Sequence, residues 1–146
     1  MRVSDILRSK PRRIVSLPPS ASAAQAAAMM HQEKIGAVLV CDQNGQVLGL
    51  LSERELALAI AIRMPDLFRH RIGEIMTIAT PSVTPEDSVQ DVMRLMTDRR
   101  VRHLPVMQDG AVVGLVSIGD ILKSRLEEKA QENAILQDLA RAHLTA

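Results

Sequence analysis

A serine and an aspartate three residues apart close the run Gly114-Leu115-Val116-Ser117-Ile118-Gly119-Asp120, where a strand-like pattern gives way to a helical one. A helix start offers unpaired N–H groups and the positive end of the helix dipole, which suits phosphate. Gly114 and Gly119 let a ligand approach the main chain. The Ser117 hydroxyl is suited to bond a phosphate, and the Asp120 carboxylate to accept from both hydroxyls of a ribose. The same Ser-x-x-Asp spacing also makes a helix capping box, in which both side chains serve the helix's own end. Spacing alone leaves both readings open. A second cluster, Arg99, Arg100, Arg102 and His103, crowds the entrance to the strand that runs on through Leu104, Pro105 and Val106. It is either a solvated basic edge or an anion site.

Nothing else in the chain is arranged for catalysis. His31, His70, His103 and His143 lack zinc-like spacing, and Cys41 is the only cysteine. No Gly-x-Ser-x-Gly elbow or Walker A loop is present. A stand-alone enzyme is not expected. Eighteen basic and 17 acidic residues leave a net charge of +1, too little for a general nucleic-acid or membrane field. The basic segment Arg8 to Arg13 has no interleaved aromatics, so nucleic acid is not an expected partner. That segment reads as a solvated loop, or as one lending a charge to the first cleft. The richest apolar run, Leu56 to Ile62, is far short of the ~18–20 residues of a membrane span. The N-terminal arginines resemble a transit peptide, but Val3 to Leu7 has a counterpart deep in the chain, which argues against one. Cys41 follows an apolar run and reads as a buried filler, and a reducing, cytoplasmic setting is expected. With Phe68 the only aromatic, the core must be aliphatic.

The elements that position these residues occur twice. A shift of 66 lays Ser16 on Ser82, Pro19 on Pro85, Ser22 on Ser88, Met30 on Met96 and Val40 on Val106. A shift of 65 then lays Val47 on Val112, Gly49 on Gly114, Leu50 on Leu115 and Ser52 on Ser117, so copy one has an extra loop residue. Val3–Leu7 resembles Ile72–Met76 more loosely. In each copy an extended piece (Ile14 to Leu17, Thr80 to Val83) leads to a helix with one apolar face. Those faces are Ala23, Ala26, Ala27 and Met30, and Val89, Val92, Met93 and Met96, with Ser22 and Ser88 as N-caps. A hairpin follows, Ala37–Cys41 with Val47–Ser52, or His103–Met107 with Val112–Ser117, turning at Asn44-Gly45 or Asp109-Gly110. A second helix opens at Glu53 or Ile118. The fold class is α/β, two β-α-β-β-α repeats packed sheet to sheet about a pseudo-twofold axis. Repeat 1 spans 1–62, a linker 63–71, repeat 2 72–123 and a helical extension 124–146. A unit of ~55 residues is marginal alone, so one shared core is expected. The extension, with Leu122, Leu126, Ile135, Leu136 and Leu139, either packs back on its own module or makes a dimer contact.

The duplicated unit, the Arg102-His103-Leu104-Pro105-Val106 strand and the Gly114-to-Asp120 turn together resemble tandem CBS domains, over ~3–123. The resemblance implies a Bateman module, a free-standing bacterial-type pair with two clefts that take AMP, ADP, ATP, NAD(H) or S-adenosylmethionine, with Mg2+ accompanying ATP. It assigns Asp120 to the ribose and Ser117 to the phosphate, flanked by Thr84, Pro85, Arg102, His103, Leu104 and Pro105. It implies a homodimer that regulates a partner protein; the alternative is a ligand-free dimerisation or scaffold module. Copy one departs from the pattern: Glu55 stands at the aspartate position and Pro18 replaces Thr84. Its weaker site is expected from Ile35, Gly36, Ala37, Ser52, Arg54 and Glu55, with Arg54 contacting phosphate. The copies thus differ most in charge, Gly36-Ala37 against Arg102-His103, where a ligand would lie.

Overall fold

The computed structural model describes residues 1–11, 14–62, 64–78 and 80–145. Arg12 and Arg13 of the basic segment, and Arg63 at the start of the linker, lie outside the described residues. The elements are α1 (Val3–Arg8), β1 (Ser16–Leu17), α2 (Ala23–Glu33), β2 (Ala37–Cys41), β3 (Val47–Ser52), α3 (Glu53–Ala61), α4 (Val89–Arg99), β4 (His103–Gln108), β5 (Ala111–Ser117) and α5 (Ile118–Thr145). β1 pairs parallel to β2, and β2 antiparallel to β3. In the second copy β4 pairs antiparallel with β5, and the expected leading strand contracts to a single parallel bridge, Val83 to Val106.

The copies share local devices. Ser22 and Ser88 accept from Gln25 N and Asp91 N, capping α2 and α4. Both helices end on a left-handed residue, Lys34 at φ 56° and Arg100 at φ 54°. The hairpins explain the extra residue of copy one. Asp109 and Gly110 both take positive φ, making a two-residue turn between Gln108 and Ala111. In copy one Asp42 Oδ1 instead accepts from Asn44 N and Gln46 N, each at 2.9 Å, and only Gly45 is left-handed.

The flanking segments are exchanged between the copies. Val3 and Ile6, which open repeat 1, are buried with Val83, Val89, Val92, Leu104, Val116 and Ile121 of repeat 2. Ile72, a single 3-10 turn from Ile72 to Glu74, is buried with Ala26, Val38, Val40 and Leu51 of repeat 1. The same backbone bonds dock both. Val3 N and Ser4 N donate to Asp87 O and Pro85 O, and Val89 N to Met1 O. Ile72 N and Gly73 N donate to Ala21 O and Pro19 O, and Ala23 N to His70 O. Each fully buried aliphatic of this kind contributes about 1.5–3 kcal/mol. A third cluster, Ala37, Leu39, Cys41 and Leu50 against Val112 and Leu115, joins the two sheets. Cys41 is buried there, and burial pushes its thiol pKa up, which keeps the unreactive protonated form.

α5 runs 28 residues, about 42 Å. Its first turns hold Ile121 and Ser124 against the module, and Ser124 Oγ bonds Met1 Sδ. From Lys129 onward the described side chains are exposed, so the tail does not pack back along its length. Leu122 and Leu126 are also exposed, as are Leu58 and Ile60 on α3. Among the described residues no helix is long and apolar enough to cross a membrane.

Candidate nucleotide site

Ser117 ends β5 opposite His103, and Asp120 opens α5. They form a reciprocal cap: Asp120 N donates to Ser117 Oγ at 3.2 Å and Ser117 N to Asp120 Oδ2 at 2.9 Å. Copy one repeats this, with Ser52 N donating to Glu55 Oε2 at 2.7 Å. The Ser52 hydroxyl bonds the same oxygen and accepts from Arg54 N. Each carboxylate also holds an exchanged segment. Lys10 Nζ bonds Asp120 Oδ2 at 2.7 Å and Leu115 O at 2.8 Å. Thr77 Oγ1 bonds Glu55 Oε1 at 2.7 Å.

The basic edge separates into distinct roles. Arg102 is exposed, and its carbonyl accepts from Ile118 N. His103 is half-buried beside repeat 1: a Cβ on Gly36 would lie 3.3 Å from its Nε2. Glycine at position 36 makes room for the imidazole, so the histidine that distinguishes copy two fills space left by copy one. Arg54 donates to Arg100 O at 3.2 Å, so its guanidinium tethers the end of α4, a use that competes with holding phosphate.

Four residues separate from this cluster. Val83 pairs with Val106, which puts Thr84 beside Met107, about 13 Å along β4 from the His103–Ser117 end. Pro85 is buried under α1, its carbonyl taken by Ser4 N. Leu104 is fully buried in the repeat 2 core and Pro105 is buried within the sheet, its carbonyl accepting from Val83 N. Of the residues expected beside Ser117 and Asp120, Thr84 thus lies further along β4, and Pro85, Leu104 and Pro105 are buried.

Ile35 and Gly36 line a cavity of about 640 Å³ with Glu53, Met30 and His31. Ala37 and Ser52, next to Gly36 and Glu53 in the chain, are buried and pair across β2 and β3. A second cavity, about 350 Å³, lies against Pro18, Cys41 and Val112. Both are within the range of small-molecule sites, about 300–1,000 Å³. Among the described residues no group of three His, Cys, Asp or Glu is placed to hold a metal.

The CBS domain sequence family matches residues 3–62 and 72–127. The chain belongs to the CBS domain family. This CBS pair is 36% identical to the CBS-domain protein ATU1752 of Agrobacterium tumefaciens, with a TM-score of 0.82 over 86% of this chain and 99% of that one. It is 26% identical to the CBS domain-containing protein YhcV of Bacillus subtilis, over 91% of this chain and 94% of that relative. It is 35% identical to the mitochondrial CBSX3 of Arabidopsis thaliana over 74% of this chain, but spans only 56% of that protein. The CBS pair of MJ0100, solved with 5′-methylthioadenosine and S-adenosyl-L-methionine, is 28% identical, with a TM-score of 0.75 over 89% of this chain and 98% of that one.

Two residues of the CBS pair's cluster escape a sequence reading, Lys10 and Thr77. The basic segment was expected to serve the first cleft if it served either; Lys10 reaches the second. The signal for this was the likeness of Val3–Leu7 to Ile72–Met76, which marks equivalent docking but not the exchange.

His103 gives the cluster a pH dependence. Burial lowers its pKa from 6.5, against Glu53, Glu55 and Asp120, which favour the charged ring, and with a further lowering from Lys10. Between the folded value and 6.5 the unfolded chain binds more protons, so stability rises with pH across that window. Stability is expected to fall as pH drops through 6.5 and to level off below the folded value. His103→Gln should flatten that slope in urea titrations from about pH 7.5 to about pH 5. An equal slope in both proteins would assign the dependence to other groups.

Proposed function

We propose that this CBS pair is a non-catalytic regulatory module that binds an adenosine-containing ligand of the AMP, ADP, ATP, NAD(H) or S-adenosylmethionine class in the cleft of repeat 2. CBS pairs are regulatory modules, and the observation that carries the ligand reading is Asp120 at the start of α5. Among the described residues no hydrogen bond reaches its Oδ1, leaving that oxygen for a ribose hydroxyl. Ser117 lies opposite His103 at the end of β4 next to Arg102, and Gly36 of repeat 1 lies against the His103 ring, which supports a nucleotide spanning both repeats. The 5′-methylthioadenosine and S-adenosylmethionine complex of the MJ0100 pair supports the chemical class. The copy-one arrangement, with Glu55 bonded to Thr77 and Arg54 to Arg100 O, supports a weaker site there. Exposed Leu58, Leu122 and Leu126 on α3 and α5 support a homodimer, and a buried free Cys41 suits the cytoplasm. Ligand binding would act on a partner protein by favouring one packing of the repeats, which requires different affinity for the two packings.

Thermal unfolding with AMP, ATP, NAD+, NADH and S-adenosylmethionine tests this. A ligand at about 100-fold above its Kd adds about 2.7 kcal/mol, and Asp120→Asn should remove the effect. A protein unmoved by every adenosine ligand would refute the reading. One observation favours a ligand-free scaffold instead: Asp120 already caps α5 and pairs with Lys10. On that reading Asp120→Ala costs only what a lost cap costs, about 0.5–2 kcal/mol, with or without nucleotide.

A further inference from the structure

The Lys10–Asp120 pair has consequences for which nucleotide the cleft accepts. Asp120 Oδ2 takes two donors, the Ser117 backbone N–H at 2.9 Å and the Lys10 ammonium at 2.7 Å. A carboxylate oxygen offers about two lone-pair positions, so Oδ2 is filled. A ribose diol bound through both carboxylate oxygens needs one of those positions back. The Ser117 N–H is fixed by the turn into α5, whereas Lys10 sits on a flexible four-carbon stem about a third exposed, at 35%. Lys10 is therefore the donor that leaves. In leaving it also gives up the Leu115 carbonyl at 2.8 Å.

We propose that Lys10 is a selectivity gate: it competes with the ribose for Asp120, and only a ligand carrying an anionic phosphate or polyphosphate compensates its displacement. This rests on the adenosine-site reading above. An uncharged nucleoside must separate the ammonium from two acceptors and offers nothing in return. On the reading above a nucleotide's phosphate would sit at Ser117, three residues from the Asp120 that Lys10 leaves, where the released ammonium could pair with it. The gate reaches the site because α1 is exchanged. Lys10 follows α1, and α1 is held in the repeat 2 core by Val3 and Ile6. The chain segment that opens repeat 1 is thus the one that screens ligands at repeat 2.

Calorimetric titration of wild type and Lys10→Met with AMP, adenosine and 5′-methylthioadenosine tests the gate. In Lys10→Met the two uncharged ligands should bind tighter and AMP no tighter. The ratio of AMP to adenosine affinity should fall about tenfold, the order of one charge-assisted hydrogen bond. Lys10→Gln, which keeps much of the stem, should move the ratio the same way, separating charge from packing. A merely structural lysine would change all three affinities by one factor. A ratio unchanged in both variants, or uncharged ligands that bind more weakly, would overturn the gate while leaving the site intact. If wild type binds AMP alone and Lys10→Met binds adenosine as well, the gate is supported in its strongest form. If neither protein binds any of them, the adenosine site itself is wrong and the gate falls with it.

Discussion

Gly49→Ala is expected to destabilise the protein by about 2–3 kcal/mol, whereas Gly114→Ala, at the equivalent place in repeat 2, should cost less than about 1 kcal/mol. The two glycines do not have the positive φ that would demand glycine, so space decides. A Cβ on Gly49 would lie 2.7 Å from the Thr77 carbonyl oxygen and 2.8 Å from Met76 Sδ. That carbonyl accepts from Leu50 N at 2.9 Å, and Thr77 N returns a bond to Leu50 O at 2.9 Å, so it cannot retreat without breaking the bridge. A Cβ on Gly114 would lie 2.6 Å from Leu7 Cδ2, the free end of a side chain that another rotamer moves aside. Alanine also restricts the unfolded chain, worth about 0.4–1 kcal/mol in its favour at either site. Parallel thermal and urea melts read the difference directly. Equal losses would mean that backbone and side-chain neighbours yield alike, contrary to this account. Because Thr77 also bonds Glu55, Gly49→Ala should disturb the copy-one carboxylate, and Gly114→Ala should leave Asp120 in place.

The elements themselves are legible because they rest on local physics. Apolar stripes at Ala23, Ala26 and Met30 and at Val89, Val92 and Met96 set helix faces, the N-cap serines set the helix starts, and the left-handed residues at 109 and 110 set the hairpin turn. These signals need no knowledge of the rest of the chain. The exchange of α1 and the Ile72 turn is different in kind. Val3–Leu7 and Ile72–Met76 resemble each other, and either could dock on either repeat with the same three backbone bonds. Only chain geometry chooses, and sequence similarity between the copies carries no information about that choice. The family match to residues 3–62 and 72–127 follows the chain, while the cores in space are drawn from both.

The candidate site was legible where it coincides with a turn and obscure where it depends on partners. Ser117 and Asp120 stand out because strand end, serine and aspartate fall at one helix start, and the capping role seen there was one of the two readings of their spacing. Leu104 and Pro105 belong to the same recognisable strand, yet both are buried, as Pro85 is under α1. Thr84 is exposed but placed by parallel pairing at the other end of β4. A motif read along the chain groups neighbours in sequence; a cleft groups neighbours across strands. Lys10 is the clearest case, 110 positions from the carboxylate it holds.

The exchange makes a second large prediction, one in which the damaged repeat is not the mutated one. Ile6 is 4% exposed and packs among Val83, Val92, Leu104 and Ile121, so Ile6→Ala should cost about 2–5 kcal/mol. Ile72 is fully buried against Val38, Val40 and Leu51, and Ile72→Ala should cost a similar amount. Hydrogen exchange distinguishes where each loss falls. Ile6→Ala should speed exchange first at Leu104, Val106 and Val116, in the strands that α1 covers, although position 6 opens repeat 1. Ile72→Ala should act first at Val38, Val40 and Leu51, although position 72 opens repeat 2. If each substitution instead loosened the repeat that follows it in the chain, the exchange would be wrong, and with it the route by which Lys10 reaches Asp120. If it is right, the module cannot be cut between its repeats: a chain beginning at Ile14 would leave the core of repeat 2 open at Val3 and Ile6 while keeping repeat 1 covered by Ile72. The same dependence couples the repeats energetically. A ligand that displaces Lys10 from Asp120 releases that tie on the segment after α1, and α1 reports on the repeat 2 core rather than on its own chain neighbour.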